Sequence, residues 1–187
     1  MARAVLWLWL LLNVPTSGAL AEEPQSLGPT YMGFRLGETQ SEVMYKLGYP
    51  PNVIGAEPLG DWPGYPVYDT SRNDPKNAMP AGTSIEDYLE WSYPQGERRI
   101  DLRFSAQSQR LESVTCYSAS FQNCPTLYGV RLGQSDTEVV EALGSPSRSS
   151  ITGVAKILEY PALGLTLTLA KGRVYMMKLS EIQRNCG

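Results

Sequence analysis

Hydrophobic and polar residues alternate along several short stretches of this chain. Apolar residues at positions 100, 102 and 104 are separated by Asp101 and Arg103. Such alternation is typical of a strand with one buried face. Together with five further stretches of β-like composition, it predicts strands at Tyr88–Tyr93, Arg99–Phe104, Arg110–Tyr117, Lys156–Tyr160, Gly164–Leu169 and Arg173–Leu179.

An internal repeat precedes each group of three strands. Residues 33–50 read GFRLGETQSEVMYKLGYP and residues 129–146 read GVRLGQSDTEVVEALGSP, with nine of eighteen positions identical. Apolar residues four apart in both copies predict a short amphipathic helix. Duplication of one unit is the economical explanation of this similarity.

Both predicted helices have the same start signal. Thr39 and Ser135 stand three residues before Glu42 and Glu138, which predicts a capping box. A helix of about two turns is too short to be stable alone in water, so each should lie on a sheet.

The repeat predicts an α+β fold of two tandem modules. Each module is expected to be a short helix packed on a three- to four-stranded antiparallel meander sheet. We expect a signal peptide at 1–21, a first module at 22–118 with an inserted loop at 51–87, and a second module at 119–187. Leu89-Glu90-Trp91 aligns with Leu158-Glu159-Tyr160. Because Trp91 then has a counterpart in the second copy, Tyr160, we predict a structural role for Trp91.

The N-terminus has the pattern of a secretory signal peptide. Arg3 supplies a positive charge, residues 4–12 form an apolar run, and Ala19-Leu20-Ala21 is a small-x-small cleavage site. The apolar run is too short to span a bilayer as a helix; the alternative is a buried N-terminal helix. We expect a periplasmic or secreted protein without a membrane span.

Composition narrows the possible chemistry. The chain has 187 residues, a formal net charge of −3 and no histidine. A mildly acidic chain without a basic stripe argues against a nucleic-acid partner, and the lack of histidine removes the commonest general base and metal ligand. We therefore expect no cofactor, no metal site and no enzymatic activity.

The three cysteines indicate one disulfide. In an oxidising compartment two of them should pair, and Cys116 and Cys124, with seven residues between them, are the favoured pair. Cys186 is then left over and available for a covalent dimer, although pairing with Cys186 stays open from sequence alone.

The helix motif G-x-R-L-G-x-[TS]-x-x-E-V-x-x-x-L-G-x-P, followed by an aromatic strand and a meander, resembles the bacterial outer-membrane assembly lipoprotein module (SmpA/OmlA). Two such modules in tandem, exported and disulfide-bonded, resemble the β-lactamase inhibitory protein family. The resemblance covers nearly all of residues 31–180. It implies helix-on-sheet modules without catalysis and, for the inhibitor, an extended sheet whose open face grips a partner enzyme. This chain lacks the lipidated cysteine of the lipoproteins.

The inserted loop 51–87 is the first candidate surface for a partner. It is much longer than the corresponding segment of the second copy and carries Trp62, Tyr65 and Tyr68. Aromatic residues dominate interface energetics, which favours a partner-binding role. The alternative is that these rings pin the loop onto its own domain.

The second candidate surface is the sheet face away from the helices. The strand alternation should direct Asp101, Arg103, Thr166 and Thr168 to that face. By itself an ordinary solvated face explains them, and the resemblance to the two-module inhibitor favours partner binding.

These observations predict an exported, non-catalytic protein-binding protein of the bacterial envelope, inhibitor-like or adaptor-like, whose partner is another protein such as an envelope or secreted enzyme. One alternative is a soluble accessory factor in outer-membrane protein assembly. The other is a small carboxylate-based hydrolase, although Glu42 and Glu138 are already explained as helix caps.

Overall fold

The computed structural model describes residues 29–55, 65–71 and 76–182. Strands are the main element there, with two α-helices and two short 3-10 turns. The elements are β1 (Thr30–Tyr31), β2 (Phe34–Arg35), α1 (Gln40–Leu47), β3 (Asn52–Ile54), β4 (Val67–Asp69), β5 (Glu90–Gln95), β6 (Arg98–Phe104), β7 (Leu111–Ser118), α2 (Asp136–Leu143), β8 (Arg148–Thr152), β9 (Ala155–Tyr160), β10 (Leu165–Ala170) and β11 (Arg173–Ser180). The 3-10 turns are Ile85–Asp87 and Pro161–Leu163. The predicted signal peptide at 1–21 lies outside the described residues.

Nine of these strands form one sheet in the order β4-β3-β5-β6-β7-β11-β10-β9-β8. All neighbours in it are antiparallel, and β1 and β2 form a separate hairpin. The sheet is continuous because β7 pairs with β11, with Ser113 opposite Ser180 and Tyr117 opposite Met176.

The predicted fold class is wrong. We expected an α+β fold of two modules, each a short helix on a three- to four-stranded meander, with the continuity of the two sheets left open. The described residues instead form a mainly β structure with one nine-stranded antiparallel sheet and two helices of eight residues each. The physical reason is that the last strand of each meander, β7 or β11, would leave a row of backbone N–H and C=O groups unpaired. Pairing the two strands satisfies both rows.

The six predicted strands are present as β5, β6, β7, β9, β10 and β11, with ends displaced by at most two residues. Three strands of the large sheet were not predicted. β3 and β4 lie inside the inserted loop 51–87, and β8 lies in the short connection after α2. They extend the sheet at its two ends.

Both helices begin with the predicted capping box. The Thr39 hydroxyl accepts from the Glu42 N–H, and the Glu42 carboxylate accepts from the Thr39 N–H at 2.7 Å. Ser135 and Glu138 repeat this arrangement, with the same 2.7 Å distance. Each box supplies acceptors for two backbone N–H groups that have no hydrogen-bond partner within the helix.

The two copies also share the contact that ends each helix. Gly48 and Gly144 both have a φ of 80°, a backbone conformation that favours glycine. The Tyr93 hydroxyl donates to the Gly48 carbonyl at 3.1 Å, and the Tyr160 hydroxyl donates to the Gly144 carbonyl at 3.1 Å. Tyr160 is thus equivalent to Tyr93, and the alignment with Trp91 was wrong by two residues.

The helices pack through valine onto the apolar side of the sheet. Val43 of α1 and Val139 of α2 are fully buried in the same core as Trp91 and Leu167. Burying one such side chain contributes about 1.5–3 kcal/mol. The remaining positions of the helices are mostly exposed, so helix placement depends on this narrow contact and on the caps.

The predicted disulfide is confirmed. Cys116 of β7 is bonded to Cys124 in the following loop, with their Cα atoms 6.1 Å apart. The bond ties the segment that leads into the second copy back to the centre of the sheet. Cys186 lies outside the described residues.

The caps generate a stability prediction. Thr39→Ala and Ser135→Ala should each lower the free energy of unfolding by about 1 kcal/mol, because each leaves a helix-start N–H without its acceptor. The losses should add in the double variant, since the caps lie on different helices. Denaturant unfolding measures them, with Ser41→Ala, an exposed serine of α1, as control. Alanine variants as stable as the control would contradict the assigned role of the caps.

Candidate functional site

Side chains of the nine-stranded sheet alternate between two faces. One face carries the core, including Trp91, Leu102, Val114 and Leu179, each 0% exposed. On the opposite face the side chains are mainly polar and exposed or half-buried. We call this second side of the sheet the open face.

One line of side chains crosses eight strands of the open face. Strand register places its members opposite one another in sequence: Asn52, Ser92, Asp101, Thr115, Lys178, Thr166, Glu159 and Arg148. All eight are polar or charged, and we call this line the polar row. It includes two of the predicted site residues, Asp101 and Thr166.

A neighbouring line on the same face is less polar. It runs through Pro94, Arg99, Tyr117, Met176, Thr168, Ile157 and Ser150. We call it the mixed row. Tyr117, Met176 and Ile157 are half-buried, so the row offers aromatic and aliphatic surface between polar neighbours.

Arg99 joins the two rows. Its Nε and Nη2 atoms donate to Asp101 Oδ2 at 3.1 and 2.9 Å, and its guanidinium carbon lies 4.2 Å from the ring centroid of Tyr117. The contacts fix the guanidinium plane, although Arg99 is exposed. This cluster presents an oriented cation over an aromatic ring.

Two buried atoms of this cluster have unused hydrogen-bonding capacity. Among the described residues, neither the Tyr117 hydroxyl nor Asp101 Oδ1 has a hydrogen-bond partner. Leaving such a buried atom unpaired costs free energy.

Burial is the main influence on the Asp101 carboxyl. It raises the pKa of Asp101 above the ordinary value of 3.8, opposed by the Ser92 hydroxyl and the Arg99 guanidinium and reinforced by the Glu90 carboxylate. The open face therefore contains a carboxyl group whose charge is disfavoured relative to solution.

Arg103 lies on the open face as predicted. Its Nη1 is 2.9 Å from Glu90 Oε1, and its Nε is 2.8 Å from Glu112 Oε1. Exposed ion pairs of this kind add little stability, but they hold the arginine in place.

Tyr65 meets Arg103 at a cleft near one end of the sheet. The cleft has a volume of about 430 Å³ and is lined by Tyr65, Tyr88, Leu89, Glu90 and Arg103, among others. Tyr65 is 59% exposed. The structure thus brings together one residue from each predicted surface.

The other predicted site residues are placed differently. Tyr68 is half-buried, with its ring 5.6 Å from the Tyr88 ring in an edge-on contact, and it packs against the core. Thr168 lies on the open face but is only 5% exposed, whereas Thr166 is more accessible and lines a groove of about 370 Å³ with Lys178. Trp62 lies outside the described residues.

Sequence reasoning missed four residues of the mixed row: Arg99, Tyr117, Met176 and Ile157. The available signal was the alternation in β7, where the buried Val114 and Cys116 direct Tyr117 to the opposite face. A tyrosine at a position expected to be solvated distinguishes this face from an ordinary polar surface. Its stacking on Arg99 depends on strand register, which the alternation does not provide.

The open face combines charges of both signs with aromatic and aliphatic surface, a combination that protein interfaces also have. In the described ranges, no three cysteine, aspartate or glutamate residues are grouped so that they could hold a metal ion. Glu42 and Glu138 are occupied as helix caps.

The raised pKa of Asp101 generates a pH prediction. Between 3.8 and the raised pKa, the folded protein holds a proton that the unfolded chain has released, so this group lowers the free energy of unfolding as pH rises. Asp101→Asn removes the effect. The stability of the variant relative to wild type should therefore increase as pH rises through that window, as measured by denaturant unfolding at several pH values. A difference that stays constant with pH would contradict the prediction.

In the part of the chain that the structure describes, neither helix is long and apolar enough to cross a membrane.

Comparisons with known proteins provide no relative for this chain. The resemblance to the SmpA/OmlA module and to the inhibitor family stays a prediction from the residues quoted above. No family model, curated protein or solved structure matches the sequence.

Proposed function

We propose that this chain is an exported, non-catalytic protein-binding protein of the bacterial envelope, which holds another protein on the open face of its sheet. The observation that carries the proposal is the mixed row, in which the half-buried Tyr117 contacts the oriented guanidinium of Arg99, and the half-buried Met176 and Ile157 continue the same line on β11 and β9. An ordinary solvated face does not need large apolar side chains along one line of the sheet.

The dimensions of the open face suit a folded partner. Seven strands contribute to the mixed row, and neighbouring strands lie about 4.8 Å apart, so the row spans roughly 30 Å. A standard interface uses about 800 Å² of each partner. The polar row beside it supplies the polar surroundings that such interfaces have around their apolar centre.

Arg99 and Tyr117 are the proposed anchors of the interface. Arginine and tyrosine are among the residue types that contribute most to binding energy. The contacts of Arg99 with Asp101 and Tyr117 hold it in one orientation, which reduces the entropy lost on binding. The cleft of Tyr65 and Arg103 lies farther along the face and serves as a second contact region.

The disulfide supports export. Disulfides persist in oxidising compartments and are rare in reducing ones, and the Cys116–Cys124 bond agrees with the secretory pattern of the first 21 residues.

The anchors generate the main test of the proposal. In the native host, Met176 is replaced by a photo-crosslinking amino acid. The protein that becomes crosslinked to this position is then identified by mass spectrometry. With purified partner, Tyr117→Ala and Arg99→Ala should each weaken binding by about 2 kcal/mol, or roughly 30-fold. The matched controls are Tyr45→Ala, a residue of α1 that is 93% exposed, and Arg131→Ala, an exposed arginine before α2. Both should bind as wild type does. Equal losses in anchor and control variants, or a partner that crosslinks as well from position 45 as from 176, would refute the assignment of the open face.

Export has its own test. Intact-mass and N-terminal analysis of protein from the native host should show a mature chain beginning at Glu22, with Cys116 and Cys124 joined in non-reducing peptide maps. Retention of residues 1–21 would contradict the predicted cleavage, and free thiols at both positions would contradict passage into an oxidising compartment.

A further inference from the structure

One edge of the large sheet is bare in the described part of the chain. β8 pairs with β9 on one side, and no described strand pairs with its other side. All five residues of β8 are exposed. At the opposite end of the sheet, β4 is partly covered, because the Asp69 N–H donates to the Asn77 carbonyl at 2.7 Å and Asp69 bridges to Ala78.

The β8 edge lacks the usual protection against strand pairing. Natural edge strands are blunted by proline, by bulges or by several charges. Arg148 is the only charged residue of β8, the strand contains no proline, and its pairing with β9 has no register shift. Ile151 and the adjoining turn residue Val154 are 78% and 94% exposed.

Hairpin geometry shows which backbone groups point outward. Gly153 and Val154 form a two-residue turn closed by the pair Thr152 and Ala155, and such a closing pair exchanges both backbone hydrogen bonds. The N–H and C=O groups of Thr152 and, two residues back, Ser150 therefore point to β9. Those of Ser149 and Ile151 point away from the sheet.

The pattern of outward groups is self-complementary. We propose that two copies of this chain associate by pairing β8 with β8 of the second copy, antiparallel about a two-fold axis at Ser150. Ser149 then lies opposite the partner's Ile151 and exchanges both hydrogen bonds with it, and the relation repeats across the axis.

Side chains fit this register. The small Ser150 meets the partner's Ser150 at a non-hydrogen-bonded position, where strands place side chains closest. Arg148 lies opposite the neutral Thr152 of the partner subunit, so no like charges face each other. Ile151 and Ile151 of the partner subunit are diagonal neighbours on the same face of the joined sheet. Each side chain therefore covers part of the other.

The dimer is weak and continues the sheet. Only five residues of each copy pair, so the interface lies at the small end of the range for specific association. The pairing joins the two open faces on one side of a single larger sheet, and it does not use Arg99 or Tyr117.

Sedimentation velocity over a range of protein concentrations tests the proposal. The mature chain carries Cys186→Ser throughout, so that a covalent dimer through that residue cannot mimic the result. This protein should change from monomer to dimer with rising concentration. Ser150→Lys should weaken dimerisation about fivefold or more, because it places two like charges opposite each other. Ser108→Lys, in the exposed turn between β6 and β7, is the matched control and should dimerise as the parent does.

A second pair of variants tests the register. Mild oxidation of Ser150→Cys should give a disulfide-linked dimer, because the axis brings the two introduced thiols together. Arg148→Cys should not crosslink, because its thiols lie on opposite sides of the axis. A parent protein that stays monomeric, a dimer insensitive to Ser150→Lys, or equal crosslinking at the two positions would overturn the proposal.

Discussion

The pairing of β7 with β11 is the interaction on which the rest of this architecture depends. It joins the strands that end the two meanders, from Ser113 opposite Ser180 to Tyr117 opposite Met176. Without it, each copy would have a smaller sheet with two open edges, each a row of unpaired backbone N–H and C=O groups. With it, Leu179 and Val114 become neighbours within one core, and the open face becomes continuous from β3 to β8. The mixed row exists only because of this ladder, since Tyr117 and Met176 belong to different copies.

The disulfide lies beside this joint. Cys116 stands opposite Met177 in the β7–β11 ladder, and its bond to Cys124 holds the chain where it leaves the first copy. Closing a short loop restricts the unfolded chain and so favours the folded state. The bond also keeps the connecting segment on the core side, because Cys116 is fully buried there. The open face beside it stays free of that segment.

Local signals in the sequence predict local structure well in this chain. The spacing of Thr39 to Glu42 and of Ser135 to Glu138 predicts both capping boxes, since the donor and acceptor lie in one turn. The alternation around Asp101 and Arg103 predicts β6 and the face on which these residues lie. Strand pairing is different, because it depends on contacts remote in sequence. The strands β3, β4 and β8 and the stacking of Arg99 on Tyr117 depend on such contacts and were not predicted. The residue patterns also left the joint between β7 and β11 open, and only the resemblance to the inhibitor family implied an extended sheet.

The composition of the strands explains why the sheet could grow in this way. A central strand has both backbone edges paired, and its two faces are free to differ. β7 and β11 accordingly carry Val114, Cys116, Met177 and Leu179 towards the core and polar or mixed side chains on the other side. β8 has no such division, since all its residues are exposed, and it ends the sheet without a covering layer. When two sheets join through one edge of each, the combined sheet still has two edge strands, one from each copy. Here the insertion bearing β3 and β4 extends the sheet at one end. At the other end, no described strand pairs with the outward backbone groups of Ser149 and Ile151.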